Sequence, residues 1–126
     1  MAKRIEQAGP SQRQLRVGEL IRRTLAEILA RGDHHIPDLE GVLISVGEVR
    51  MSTDLCVATV LIYPHGGDGQ TVIKALAGIA GRLRYQVSKV TKLKNAAELR
   101  FRLDNSYDIA EETQRLIDAL PKPGGD

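Results

Sequence analysis

A chain of 126 residues and 13.8 kDa is the size of one compact domain, and 42% hydrophobic with 27% charged residues excludes a wholly disordered chain. Aromatic content of 3% with no Trp supplies little for recognition on stacked aromatic platforms, and the single Cys56 excludes an internal disulfide or a zinc site of several thiolates. The net charge of +2 conceals segregation, because residues 1–31 carry +4, 32–73 carry −5, 74–102 carry +7 and 103–126 carry −4, so two basic segments create a local positive field if the fold joins them.

In chain order, residues 1–10 read as a polar tail without an apolar signal core, and no apolar run approaches the ~20 residues of a membrane helix, so a soluble, cytoplasmic protein is expected. Ser11 opens a helix, since Ser11 and Gln14 have the spacing of a capping box. Leu15, Ile21, Leu25 and Ile28 follow at helical spacing, Leu20 and Leu29 widen the stripe, and Gly32 stops it. Asp33 to Gly41 is a loop punctuated by Pro37. Val42 to Arg50 reads as a strand with Gly47 marking a bulge. Met51-Ser52-Thr53-Asp54 is a turn, and Leu55 to Tyr63 is apolar on both faces, as a central strand is. A connector from Pro64 to Gly69 leads into a helical region from about Gln70 to Lys94. Leu99 to Leu103 alternates strictly, with Arg100 and Arg102 on one face. A last helix over Ser106–Leu120 is expected to turn Ile109, Leu116, Ile117 and Leu120 inward, and 121–126 is a second tail. The domain therefore spans residues 11–120 and is α+β, a three-stranded sheet with helices packed on one face.

The long helical region carries the chemistry. At ~100° per residue, Val72, Leu76, Ile79, Leu83, Val87 and Val90 form a core stripe. Lys74, Gly78, Gly81, Arg82, Tyr85, Lys89 and Lys92 share the opposite arc, a basic face with two bare-backbone positions. Glycine inside a helix costs about 0.5–1 kcal/mol relative to alanine, so the pair suggests a kink or a close approach. A break there exposes first-turn amides near Arg82 and Arg84 to an anion. The alternative is a small-residue contact between packed helices. Charges spread over several turns suit a nucleic-acid backbone better than a small phosphate ligand.

Enzyme chemistry finds less support. Gly66-Gly67-Asp68-Gly69 lacks the Lys-Ser/Thr of a P-loop. Cys56, between apolar neighbours, reads as a mid-strand core residue rather than a nucleophile served by His65. Adjacent His34 and His35 have no standard ligand spacing. No catalytic residue, metal or cofactor is expected.

Three stretches carry a family resemblance: Arg16 to Arg23 (RVGELIRR), Val49 to Leu55 (VRMSTDL) and Leu93 to Ser106 (LKNAAELRFRLDNS). Over Ser11 to about Leu120 the chain resembles the ribosome-binding factor A family. The last stretch is similar to that family's basic residue, Pro-x-Leu-x-Phe and Asp-x-Ser, with Ala97 in the place of the proline. Ile79-Ala80-Gly81 stands where the family has an Ala-x-Gly kink. Gly78-Ile79-Ala80-Gly81 also spells the Gly-x-x-Gly of ordinary KH domains, but its apolar middle pair argues against KH-style single-strand recognition. The resemblance implies a type II KH-like fold, α-β-β-α-kink-α-β plus a C-terminal helix, without catalytic activity. It further implies a monomeric, bacterial cytoplasmic factor that binds free small (30S) ribosomal subunits through 16S rRNA. Such a factor assists late maturation and pre-16S rRNA processing, with assembly GTPases as functional partners. Arg82, Lys89, Lys92 and Lys94 are expected to supply most of the charge toward rRNA phosphates. Arg84, Lys74, Arg16, Arg22 and Arg23 support them, and Gly78 and Gly81 let the backbone approach. The rival readings are a general single-stranded RNA-binding KH-like module and a protein-interaction adaptor using the acidic last helix and the hairpin.

Overall fold

The computed structural model describes residues 9–32 and 35–120; residues 1–8 of the tail expected over 1–10, the tail expected over 121–126, and Asp33 and His34 lie outside them. Helix α1 (Gln12–Arg31) begins at the expected capping box. The Gln14 amide donates to Ser11 Oγ at 3.1 Å and the Ser11 amide to Gln14 Oε1 at 2.8 Å, which satisfies two orphan donors at once. Ile21, Leu25, Ile28 and Leu29 are buried, whereas Leu15 is exposed and Leu20 half-buried, so the core stripe starts a turn later than expected. Buried Thr24 returns its hydroxyl to the Leu20 carbonyl at 2.9 Å.

Strand β1 (Leu43–Met51) pairs antiparallel with β2 (Val57–His65), which pairs parallel with β3 (Glu98–Leu103), so β2 is central. Register slips between Val46 and Glu48, placing a bulge at Gly47. A side chain there would meet Asp104 Oδ2 at 2.5 Å, which is why a bare residue occupies the bulge. Helices α1, α2 (Gly69–Gly78) and α3 (Ala80–Thr91) cover one sheet face, over Ile44, Val46, Ala58, Val60, Ile62, Leu99 and Phe101. α1 crosses β1 closely enough that a Cβ on Gly18 would stand 2.6 Å from the Val49 carbonyl oxygen.

Three expectations are corrected. Cys56 is exposed and precedes β2 rather than lying in mid-strand. The turn runs two residues longer than read, because Asp54 Oδ1 accepts both the Ser52 hydroxyl (2.7 Å) and the Cys56 amide (3.0 Å), and Leu55 turns left-handed at φ 63°. Cys56 and His65 therefore sit at opposite ends of β2, about 30 Å apart for nine strand residues. Val90 is exposed, since the break between α2 and α3 interrupts the helical phase carried from Val72. Helix α4 (Asn105–Ala119) forms as expected, but Ile109, Leu116, Ile117 and Leu120 are 53–66% exposed. α4 leaves the end of β3 and, among the described residues, packs at its start, where the Tyr107 ring meets Tyr63 edge-on at 5.4 Å.

Candidate nucleic-acid interface

The long helical region is broken at Ile79, whose φ of −113° and ψ of 17° separate α2 from α3. Gly81 is thus the second residue of α3 and not the hinge itself. Half-buried Ile79 packs on the core, while its amide donates to the Leu76 carbonyl at 3.1 Å and its carbonyl accepts from the Leu83 amide at 3.0 Å. No side chain caps the start of α3. A Cβ on Gly78 or Gly81 would meet nothing within 4 Å. The small-residue contact between helices is therefore not what these glycines serve, and both present bare backbone to solvent beside Arg82.

The expected cations divide into two groups. Lys74, Lys89, Lys92 and Lys94 are exposed and take no ion pair among the described residues, although Lys89 lies 5.4 Å over the Tyr85 ring. Arg82 is exposed on the first turn of α3. Arg16 is exposed on α1, which packs against α3, so the two basic segments are neighbours in space. Arg22 is half-buried and clamps Glu19 at 2.9 and 2.6 Å, with Arg23 at 3.6 Å from the same carboxylate. These bonds hold Glu19 below its ordinary carboxylate range and raise Arg22, so this pair adds little net charge. Arg84 donates Nε and Nη2 to the Ala96 carbonyl at 3.2 and 2.7 Å. It pins the loop that enters β3 just before Ala97.

Two further groups of residues escaped the sequence reading. Cross-strand register places Arg50 opposite Thr59 and Thr59 opposite Arg100, on the sheet face away from α1–α3. Glu48 and Glu98 pair with these arginines at 3.0 Å each, so the row is largely neutralised. Arg13, in the first turn of α1, lines a concavity with Asp54, Lys94 and Asn95. Strand alternation announces Arg100 alone; its alignment with Arg50 and the grouping around Arg13 depend on register and tertiary packing.

The comparisons with known proteins agree with one another. The family model for ribosome-binding factor A matches residues 13–117. Ribosome-binding factor A of Ruegeria pomeroyi is 54% identical over 111 residues, covering 87% of this chain and 85% of the relative. That of Paracoccus denitrificans is 54% identical over 110 residues, covering 86% and 80%. Among solved structures, the crystal structure of ribosome-binding factor A from Thermus thermophilus superposes with a TM-score of 0.61 at 22% identity, covering 71% of this chain and 94% of that one. A Thermus thermophilus ribosome binding factor A homology model, fitted into a cryo-EM map of its 30S complex, superposes with a TM-score of 0.58 at 23% identity, covering 70% and 91%. The last two establish a shared fold.

Proposed function

This chain belongs to the ribosome-binding factor A family, and from that premise we propose that it is a ribosome assembly factor that binds free small (30S) ribosomal subunits through 16S rRNA. It assists late subunit maturation and pre-16S rRNA processing in the bacterial cytoplasm. It acts as a monomer and by binding, without catalysis, and assembly GTPases are its functional partners. The Thermus thermophilus relative fitted into a 30S complex supports the partner. The observation that carries the mode of binding is the set of exposed cations Lys74 on α2, Arg82 and Lys89 on α3, and Lys92 and Lys94 just after it, with α1, which bears exposed Arg16, packed against α3.

Separated point charges meet phosphates and fix position without reading sequence. The bare backbone at Gly78 and Gly81 lets a sugar-phosphate strand approach the start of α3, where first-turn amides favour an anion. Binding holds immature rRNA in a processing-competent shape, and remodelling of the site releases the factor.

Co-sedimentation with ribosomal fractions at two salt concentrations tests the partner. Salt-sensitive binding to free small subunits, and little to assembled ribosomes, is expected; equal binding to every RNA-containing fraction indicates a general RNA binder instead. The R82A/K89A/K92A variant should flatten the dependence of log affinity on log salt by about two to three units. An unchanged slope removes this face from the interface. The exposed apolar side of acidic α4 favours the adaptor as a second reading, which requires binding that survives removal of the rRNA.

A further inference from the structure

The hairpin turn at 51–55 and the loop at 93–97 are about 40 residues apart in sequence but face the same concavity. Its volume is about 350 Å³, and α1 closes it through Arg13, a size suited to one small group rather than a folded segment. It lies at the C-terminal end of α3, about 18 Å along the twelve-residue helix from the break at Ile79. It is therefore distinct from the bare-backbone site at Gly78 and Gly81.

The chemistry of its wall is mixed in an informative way. Arg13 and Lys94 stand on it with no ion pair or hydrogen bond among the described residues. Leu55 and Leu93 give it an apolar lining, and Asn95 brings a carboxamide. The same wall carries a carboxylate, Asp54. Its Oδ1 is occupied by the Ser52 hydroxyl and the Cys56 amide, bonds that also keep it ionised, and neither bond uses Oδ2. The turn is rigid: the Val57 amide donates to Ser52 Oγ at 3.0 Å, the Gln14 side chain donates to the Met51 carbonyl at 3.0 Å, and Leu55 is held left-handed at φ 63°. A non-glycine residue held there marks a turn whose surroundings over-determine it.

A carboxylate on the same wall as two cations opposes a phosphate-only contact. It accepts well from the N–H groups on the edge of an unpaired base, the edge that single-stranded RNA offers to proteins. Resting on the rRNA reading above, we propose that this concavity takes one unpaired RNA nucleotide. The amino group of its base donates to Asp54, and its flanking phosphates meet Arg13 and Lys94. The apolar side chains of Leu55 and Leu93 support the base, so the site adds base selectivity to an otherwise sequence-blind surface.

The test titrates the 15N-labelled full chain with GMP, AMP, CMP, UMP and inorganic phosphate, separately. GMP, AMP and CMP should shift the amides of Thr53, Leu55 and Asn95 and bind at least tenfold tighter than phosphate, with UMP weakest. D54N keeps an acceptor oxygen for the Ser52 and Cys56 bonds and should abolish the preference over phosphate. R13A/K94A, outside the turn, should weaken all five ligands. Nucleotides that bind no better than phosphate, or a preference that D54N leaves intact, overturn the proposal. On free small subunits, D54N should weaken binding about tenfold at unchanged salt slope. Wild-type protein that ignores subunits refutes the proposed function, while the nucleotide titration still decides the pocket.

Discussion

Replacing Gly18 by alanine asks one methyl group to enter space already held by a backbone oxygen. The new Cβ would stand 2.6 Å from the Val49 carbonyl oxygen and 3.5 Å from the Met51 side chain. Carbon–oxygen contacts settle at about 3.3–3.6 Å, so α1 has to retreat from β1 by roughly 0.7–1 Å. Gaps of that size forfeit a quarter to a half of each dispersion contact, and the cost falls on Ile21, Leu25, Ile28 and Leu29, all buried on the retreating face. Overpacking of this kind costs about 1–3 kcal/mol, against a gain of about 0.5–1 kcal/mol from exchanging a mid-helix glycine for alanine. G18A is expected to be less stable by about 1–2 kcal/mol, or about 4–8 °C in Tm. The same exchange at Gly78 or Gly81 meets open space, so G78A and G81A should gain up to about 1 kcal/mol. Urea and thermal unfolding followed by circular dichroism read all three. A G18A protein as stable as wild type, or three variants of one sign, would refute the close crossing of α1 over β1.

L25A removes a side chain with no exposed surface and should cost about 2–5 kcal/mol in urea unfolding. R84A frees the Ala96 carbonyl from two hydrogen bonds; a loss of about 1 kcal/mol is expected, with a smaller change in salt slope on subunits than K89A produces. Asp104 caps α4 through the Ser106 amide and hydroxyl, which hold its carboxyl below the ordinary range. A depressed carboxyl stabilises above its unfolded pKa and loses that contribution as protons bind, so α4 should fray as pH falls below about 4. Amide exchange in α4 measures this, and D104A should show the same fraying already at pH 7. Fraying that D104A leaves pH-dependent assigns the effect to another group.

Local rules made most of the framework readable. Ser11 and Gln14 cap α1 because a capping box depends on four consecutive residues and nothing else. The strict alternation of Leu99 to Leu103 became an edge strand with its leucines and Phe101 toward the core. What stayed hidden depends on partners distant in sequence. Amphipathic spacing in α4 shows that Ile109, Leu116 and Ile117 share a side, but spacing says nothing about whether another element covers that side. Cys56 looks like strand because its neighbours are apolar, yet one carboxylate two residues earlier draws its amide into the turn. Arg84 has the sequence of a phosphate ligand and the bonds of a loop clamp. Arg13 and Lys94 share a wall only after α1, the hairpin and the β3 entry loop have assembled.

The strand order also sets a timetable. β2 is the central strand, but its second neighbour β3 ends at Leu103, 38 residues after His65. At a synthesis rate of about 5–20 residues per second, β2 waits on the order of 2–8 s with one edge unpaired. That edge belongs to a strand whose Val60, Leu61 and Ile62 are all buried in the finished protein, a segment of the type that seeks strand partners when left open. In the meantime β1 and α1 are already available to cover one side of it, so the order of synthesis shelters the nascent hairpin before the sheet is complete.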